Sequence, residues 1–323
     1  MATWIFTHGD TDGICAGAIA LAANPNAQIF FTNPYGLIED LTIANNEDKV
    51  IICDIALSEN HLKQIIQRFS RIAEKGELIY IDHHPWPEAI LKEDMPSKII
   101  HGLASSSELT YSLFKSNIDP KLSRVAIFGA IGDYLDNTPF IKHLLERWDK
   151  RALYFESGLL TQGIEGRKRD YELKRSILFK LANNFLPSSD KRLVELALEQ
   201  SHLEELAIQK IKDYIHFNGK IAYTLNFPFS LGKAAIYAKG LTDALIGIAA
   251  EERKGMIDMS LRTSNPKIDL NKILRLITPK FGGSGGGHSK AAGARLPKEK
   301  FEDFLNELNK SLKELDYNQI SKS

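Results

Sequence analysis

Short apolar runs recur through the first 135 residues, and polar residues close each one. TWIFTH, AQIFFT, KVIICD, ELIYID and SKIIHG are brief and rich in β-branched or aromatic residues, which predicts strands. Between them, GICAGAIALAA and ENHLKQIIQRFSRIAEKG carry apolar residues at helical spacing. Alternating strands and helices predict a mainly parallel sheet covered on both faces. In such sheets ligands sit beyond the carboxyl ends of the strands. The pattern then changes. Residues 139–217 are charged and helix-like, as in KHLLERWDKRALYFESG and DKRLVELALEQSHLEELAIQKIKDYI, with no predicted strand. From Gly219 the strand pattern returns. KIAYTLNF reads as a strand, ALIGIAAEERKG as a helix and MIDMSLRTS as a strand. DLNKILRL is a further helix, with Asn265 and Asp269 shaping the turn before it and capping it. FGGSGGGHSKAAGA reads as a glycine-rich loop, KEKFEDFLNELNKSLKEL as an amphipathic helix, and NQISKS as a frayed end. The expected class is α/β in three segments: a parallel-sheet domain at 1–138, a helical connector at 139–217, and a smaller α/β domain at 218–323. No internal repeat is visible.

Composition narrows the function. The 323 residues suffice for two domains, and 43% hydrophobic with 25% charged residues fits a soluble globular chain. No apolar run reaches the ~18 residues of a membrane span. The start, MATWIFTHGD, lacks the basic and apolar regions of a signal peptide. The two cysteines, Cys15 and Cys53, sit in apolar contexts and suggest a reducing cytoplasm without disulfides. Formal net charge is zero, so an anionic partner must be held by local features.

Those local features lie at the ends of the apolar runs. IFTHGDTDG supplies His8, Asp10 and Asp12; VIICDIA supplies Asp54; LIYIDHHPW supplies Asp82, His83 and His84; and IFGAIGDYLDN supplies Asp133, with Asp136 one turn on. Three of these runs are strands, so a parallel sheet brings their ends to one edge. A lone Asp after a strand is ordinarily a cap or turn former. Carboxylates and imidazoles gathered in this number suit Mn2+ or a similar divalent ion. They suffice for two ions about 3.5–4 Å apart, the spacing used for in-line attack on phosphorus.

In that order HGDTDG, CD, DHH and GDYLD resemble the four motifs of the DHH phosphoesterase superfamily. SLRTS and FGGSGGGHSKAAGA resemble its companion DHHA1 domain. The resemblance covers nearly the whole chain outside the helical middle. The family includes RecJ-type single-strand exonucleases, nanoRNases that also dephosphorylate pAp, cyclic-dinucleotide phosphodiesterases and family II pyrophosphatases. The spacing His8-Gly-Asp10-x-Asp12-Gly and the compact layout are most similar to archaeal RecJ-like nucleases. GLASSSELTYSLF is instead similar to nanoRNases, whose small hydroxyl residues lie near substrate, here Ser105 and Ser106.

The resemblance implies two Mn2+ ions, with Mg2+ or Co2+ as alternatives. His8, Asp10 and Asp54 match ligands of one, and Asp12, Asp54, His83 and Asp133 match ligands of the other, with Asp54 bridging. The nucleophile would be a water activated between the ions. Asp82 would orient a ligand from behind, and His84 would touch the scissile phosphate. Asp136 has no counterpart and is read as facing solvent or supporting a ligand. The expected substrate is single-stranded DNA or RNA, or a short oligonucleotide, cut from an end in a cleft between the two domains. A non-catalytic scaffold that keeps the fold and loses the ligands is the rival of another class, yet every expected ligand is present.

The C-terminal glycines let backbone N–H groups approach a phosphate, here at Gly282, Gly283, Gly285, Gly286 and Gly287, with His288 and Lys290 as side-chain donors. Arg262 can fork a phosphate or stack on a base, and Ser260 on the same strand can reach the same ligand. Arg167, Lys168, Arg169, Lys174 and Arg175 form a basic cluster. It is either a solvated helix face or a track for single-stranded nucleic acid. Tyr35 and Trp86 are candidates for base stacking, against core packing or plain surface exposure.

Overall fold

The structure is a computed structural model that describes residues 1–167 and 169–320, with the side chains of 313–320 left undescribed. It divides into two compact units, Met1–Ser201 and His202–Ser323.

The first unit is built on five strands: β1 (Thr3–Thr7), β2 (Gln28–Phe31), β3 (Lys49–Cys53), β4 (Glu77–Asp82) and β5 (Lys98–His101). All are parallel, in the order β2-β1-β3-β4-β5. These are the five strands read from the sequence. Period-two alternation sorts their side chains onto two faces. Ile5, Ile51, Cys53, Ile79 and Ile81 enter one core, while Phe6, Val50, Ile52, Leu78 and Tyr80 enter the other. The first face is covered by the helix Thr11–Ala23, buried from Thr11 to Leu21, which packs on the helices Ser106–Phe114, Ser123–Gly132 and Tyr171–Ala182. The helix Leu62–Ala73 turns Leu62, Ile65, Phe69 and Ile72 inward, and Ile65, Phe69 and Ile72 join the core on the second face. Strand order reverses between β1 and β3, so the crevice at their carboxyl ends is where an open sheet of this kind takes its ligand. Cys15 and Cys53 are buried and unbridged.

The second unit has a six-stranded mixed sheet, in the order β10-β11-β9-β8-β7-β6. Its strands are β6 (His216–Asn218), β7 (Ile221–Leu225), β8 (Ile246–Arg253), β9 (Met256–Arg262), β10 (Ser284–Gly287) and β11 (Ala291–Pro297). The pair β7–β8 is parallel and the others are antiparallel. The helices Leu270–Ile277 and Phe301–Ile320 cover one face and Leu231–Gly240 the other.

Three sequence expectations are corrected here. ALIGIAAEERKG is not a helix but strand β8. Ile246, Ile248 and Ala250 face one core, and Ala249 faces the other. A strand buried on both faces reads as a continuous apolar run, without the alternation that marks a half-buried one. The glycine-rich stretch is not all loop. Ser284–Gly287 pairs with Ala291–Pro297 as an edge hairpin, leaving residues 288–290 as the turn. The segment 139–217 is not strand-free, because β6 begins at His216 and pairs with β7. Asp269 does cap the helix Leu270–Ile277, accepting from the Lys272 N–H, and Asn265 accepts from the Lys267 N–H. The helix Phe301–Ile320 runs into the stretch expected to fray, and 321–323 lie outside the described residues.

Candidate metal centre

The crevice between β1 and β3 is where the predicted ligands meet. His8 is the first residue beyond β1 and Asp54 the first beyond β3. Asp10 is the N-cap of the helix Thr11–Ala23, accepting from the Gly13 N–H at 3.0 Å. Asp12, in the first turn of that helix, is fully buried. Its carboxylate accepts the backbone N–H groups of Ser106 at 2.6 Å and Ser107 at 3.0 Å. These are the first residues of the helix Ser106–Phe114, whose positive end suits an anion. Asp133 follows not a strand but the helix Ser123–Gly132, as its C-cap. That helix comes close because residue 129 is glycine. A Cβ there would lie 2.3 Å from Ser107 Oγ and 2.6 Å from Asp12 Oδ1.

Asp54 stands in the middle. Its backbone is left-handed, φ 61°, a conformation that Asp and Asn tolerate better than most side chains. Its N–H continues the ladder to Ile81 O at 2.9 Å. Its two oxygens face opposite ways: Oδ2 lies 3.9 Å from His8 Nδ1, and Oδ1 lies 3.3 Å from His83 Nε2. On the first side His8 Nδ1 is 2.7 Å from Asp10 Oδ2. On the second, His83 Nε2 is 3.2 Å from Asp133 Oδ2 and 3.9 Å from Asp12 Oδ2. All six residues read as ligands from the sequence are thus brought together.

The electrostatics are those of a place short of positive charge. Burial, then Asp10 and Asp12, pushes the Asp54 carboxyl well above the carboxylate range. Burial and the neighbouring Asp133 raise Asp12 to about 7. Burial would lower His83, but its hydrogen bonds with Asp133 and Asp54 outweigh that and raise it to about 11. Asp10 raises His8 in turn. Two trios, His8–Asp10–Asp54 and Asp12–His83–Asp133, each keep one donor atom per residue within 4.8 Å of the others. Mixed imidazole and carboxylate donors at this spacing fit divalent ions of the Mn2+ kind.

Asp82 and His84 form a second tier. Asp82 Oδ1 is 2.8 Å from His84 Nδ1, and Asp82 Oδ2 is 2.7 Å from the Tyr80 hydroxyl. Burial would raise Asp82, but His84 more than reverses it, to about 2. Burial lowers His84 and Asp82 outweighs it, so the imidazole is raised. Tyr80, two residues before Asp82 on the same strand face, was not singled out in the sequence. Its signal was the i, i+2 spacing.

Other sequence candidates are placed differently. Ser105 and Ser106 are fully buried. Ser105 caps its helix through the Glu108 N–H, and Ser106 Oγ donates to Asp54 Oδ1 at 3.0 Å. Asp136 accepts from the Tyr154 hydroxyl. Tyr35 is exposed. Trp86 packs edge-on to Tyr80 and His101 and donates to Ile90 O. The basic cluster divides. Arg167 pairs with Glu199 and Arg175 with Glu172, whereas Lys174 is buried at 5% exposure. Lys168 lies outside the described residues. In the second unit Arg262 Nη1 donates to Ser260 Oγ at 2.8 Å and to Leu261 O at 2.9 Å. The Gly287 N–H donates to Asn271 Oδ1 at 3.1 Å and the His288 N–H to Ala291 O at 2.9 Å. Gly285 and Gly286 lie in β10, opposite Ala294 and Gly293.

The chain carries two family domains: the DHH family N-terminal domain matches residues 2–132 and the DHHA1 domain matches residues 229–314. Oligoribonuclease NrnB of Bacillus subtilis is 21% identical, over 94% of this chain and 75% of that protein. The DHH domain of PF0399, described as a member of the s1p family of ribosomal proteins, superposes with TM-score 0.69 at 17% identity, covering 96% of this chain and 86% of that one. RecJ from Thermus thermophilus in complex with Mn2+ superposes with TM-score 0.68 at 15% identity, covering 96% of this chain and 52% of that one. Among the described residues no helix is long and apolar enough to cross a membrane.

Proposed function

We propose that the protein is a divalent-cation-dependent phosphodiester hydrolase acting from an end of single-stranded DNA or RNA and on short oligonucleotides. The observation that carries this is Asp54, which shares one trio with His8 and Asp10 through one carboxylate oxygen and turns the other toward His83 of a second trio, at the sheet's switch point. Two Mn2+ ions, or Mg2+ or Co2+ in their place, would be held by His8, Asp10 and Asp54 on one side and by Asp12, Asp54, His83 and Asp133 on the other. When bound they would supply Lewis acidity and a water of lowered pKa. Around them the chain does the rest. The Ser106 and Ser107 amides fix Asp12, the Ser106 hydroxyl fixes Asp54, and Asp82 orients His84. His84, partly open to solvent, is the group that delivers a proton to the departing oxygen. We assign the chemistry to residues 1–138, the connection to 139–217, and the hold on substrate to 218–323 through Arg262, Ser260, His288 and the glycines 285–287. The likeness to an oligoribonuclease over nearly all of the chain favours short oligonucleotides among the substrates.

A linear single strand, its circular form and a blunt duplex, each incubated with Mn2+, test the reading. Degradation of the linear strand alone is expected, with a shallow dependence on salt because few phosphates are held. Cleavage of the circle would reject recognition of an end. Resistance of every oligonucleotide beside turnover of pAp or a cyclic dinucleotide would replace the nuclease with a small-nucleotide phosphoesterase.

A further inference from the structure

His84 follows the end of β4, where β5 ends alongside and sets His101 in register with Asp82. His101 Nε2 lies 2.7 Å from the His84 backbone oxygen. A carbonyl only accepts, so this nitrogen carries a proton and donates it. Burial lowers the His101 pKa, which favours the neutral ring and leaves Nδ1 bare. That Nδ1 is buried and has no hydrogen-bond partner among the described residues. Burying such a nitrogen costs stability that an apolar side chain would keep. The fold alone therefore gives no reason for an imidazole here, whereas the bond to His84 does. On the other side Tyr80, 1% exposed, places its hydroxyl 2.7 Å from Asp82 Oδ2 and 2.7 Å from Ile55 O. One proton serves both acceptors, which ties the residue after Asp54 to the Asp82–His84 pair. The Trp86 ring stands edge-on to both side chains, with centroids 5.1 Å from His101 and 6.3 Å from Tyr80.

The backbone of His84 and its ring are thus held by different residues. We propose that His101 and Tyr80 are positioning residues for His84: His101 fixes the peptide from which the ring projects, and Tyr80 fixes the carboxylate that aims it. The inference rests on the phosphodiesterase reading, in which His84 delivers a proton to the departing oxygen. That transfer needs donor and acceptor within about 2.6–3.2 Å, and a misplacement of ~1 Å can cost about 10^2-fold in rate. A ring held by Asp82 alone still moves with its backbone. A ring whose peptide is also anchored does not.

The test uses His101→Phe and Tyr80→Phe, which keep a ring and lose the polar atoms. Each is compared with wild type on a dinucleotide and on a nucleoside p-nitrophenyl phosphate. The alkoxide leaving the dinucleotide needs a proton, whereas nitrophenolate departs without one. Each variant is expected to lose about ten- to a hundredfold in kcat on the dinucleotide. KM and Mn2+ affinity should be unaltered, and the nitrophenyl ester should be cut as by wild type. Neither substitution should cost anything further in His84→Ala, because residues that act through one another are not additive. His101→Gln, whose amide can donate to the same carbonyl, should recover part of the loss. Equal losses on the two substrates, a loss that persists in His84→Ala, or unchanged kcat in both variants would overturn the proposal. Nitrogen NMR of the metal-free protein reads the clamp without catalysis. The His84 Nδ1–H signal, sharp in wild type, should broaden in either variant. Broadening in a protein that cuts no phosphodiester keeps the clamp and rejects the phosphodiesterase. Hydrolysis in which kcat and the His84 signal are indifferent to both substitutions does the reverse.

Discussion

The two units place opposite charge at their functional edges. In the first, Asp10, Asp12, Asp54 and Asp133 crowd around two imidazoles, and the Asp12 and Asp54 carboxyls resist ionisation. In the second, Arg262 is oriented by Ser260 on β9, and His288 and Lys290 stand in a glycine hairpin. One edge crowds carboxylates and the other carries basic side chains. Under the proposed function, dications held at the first and a guanidinium at the second would each suit a phosphate ester. The proposed function gives catalysis to one unit and grip to the other, and substitutions can test that division.

The largest effect belongs to Asp54. Asp54→Asn keeps a side chain that accepts the left-handed backbone and removes the charge shared by both trios. Hydrolysis should fall by about 10^3-fold or more, on the scale of the several kcal/mol that a bound metal contributes, and Mn2+ content measured by metal analysis should fall with it. Activity retained at more than a few per cent of wild type would break the bridging role. His84→Ala comes next. It should lose ~10^2–10^4-fold in kcat while Mn2+ content, unlike that of His83→Ala, stays intact. Equal metal loss in the two variants would sink the division between them.

Arg262→Ala and His288→Ala should cost about ten- to a hundredfold in kcat/KM on oligonucleotides and spare metal binding. A generic small phosphodiester, which needs no grip, should be cut equally well by wild type and variants. An equal loss on that compound would erase the contrast between the units.

The smallest effect is on pH. Without metal, Asp12 holds its proton to about 7, the Asp54 carboxyl is raised by its burial and by Asp10 and Asp12, and His83 is protonated to about 11. Loading cations must expel these protons, so apparent affinity should rise with pH, about tenfold per unit for each proton released. The raised carboxyls stabilise the metal-free fold fully below the ordinary carboxylate pKa, and Asp12's share is lost as pH passes about 7. The raised His83 contributes throughout that window. The metal-free protein should therefore melt lower at pH 8 than at pH 5.5, and the gain in Tm on adding Mn2+ should be larger at pH 8. A gain independent of pH would contradict the charge assignment.

The first unit was legible in the sequence because its chemistry sits where apolar runs stop, and a parallel sheet gathers such ends without further information. Hence β1 to β5, and the meeting of His8, Asp54 and His83, follow from the pattern. The second unit was less legible. β8 is buried on both sides and has the alanine and glutamate of a helix, while β10 is mostly glycine and has no side-chain pattern to read. Long-range support was also hidden. The Ser106 and Ser107 amides reach Asp12 across 94 and 95 positions, and no local spacing announces that. Lys174 sits among basic residues that are solvated, so its burial against Gly9 was invisible until the helix was packed.

Gly129 has a consequence for how this protein can vary. The helix that carries Asp133 lies so near Asp12 and Ser107 that a single methyl group at 129 would overlap both. For most positions alanine is the mildest exchange available; here it acts as a wedge. Displacing that helix would move Asp133 away from His83 while leaving every polar residue of the centre in the chain. A lineage or a library could therefore lose the site through a position that bears no functional group, and a scan restricted to charged residues would miss it.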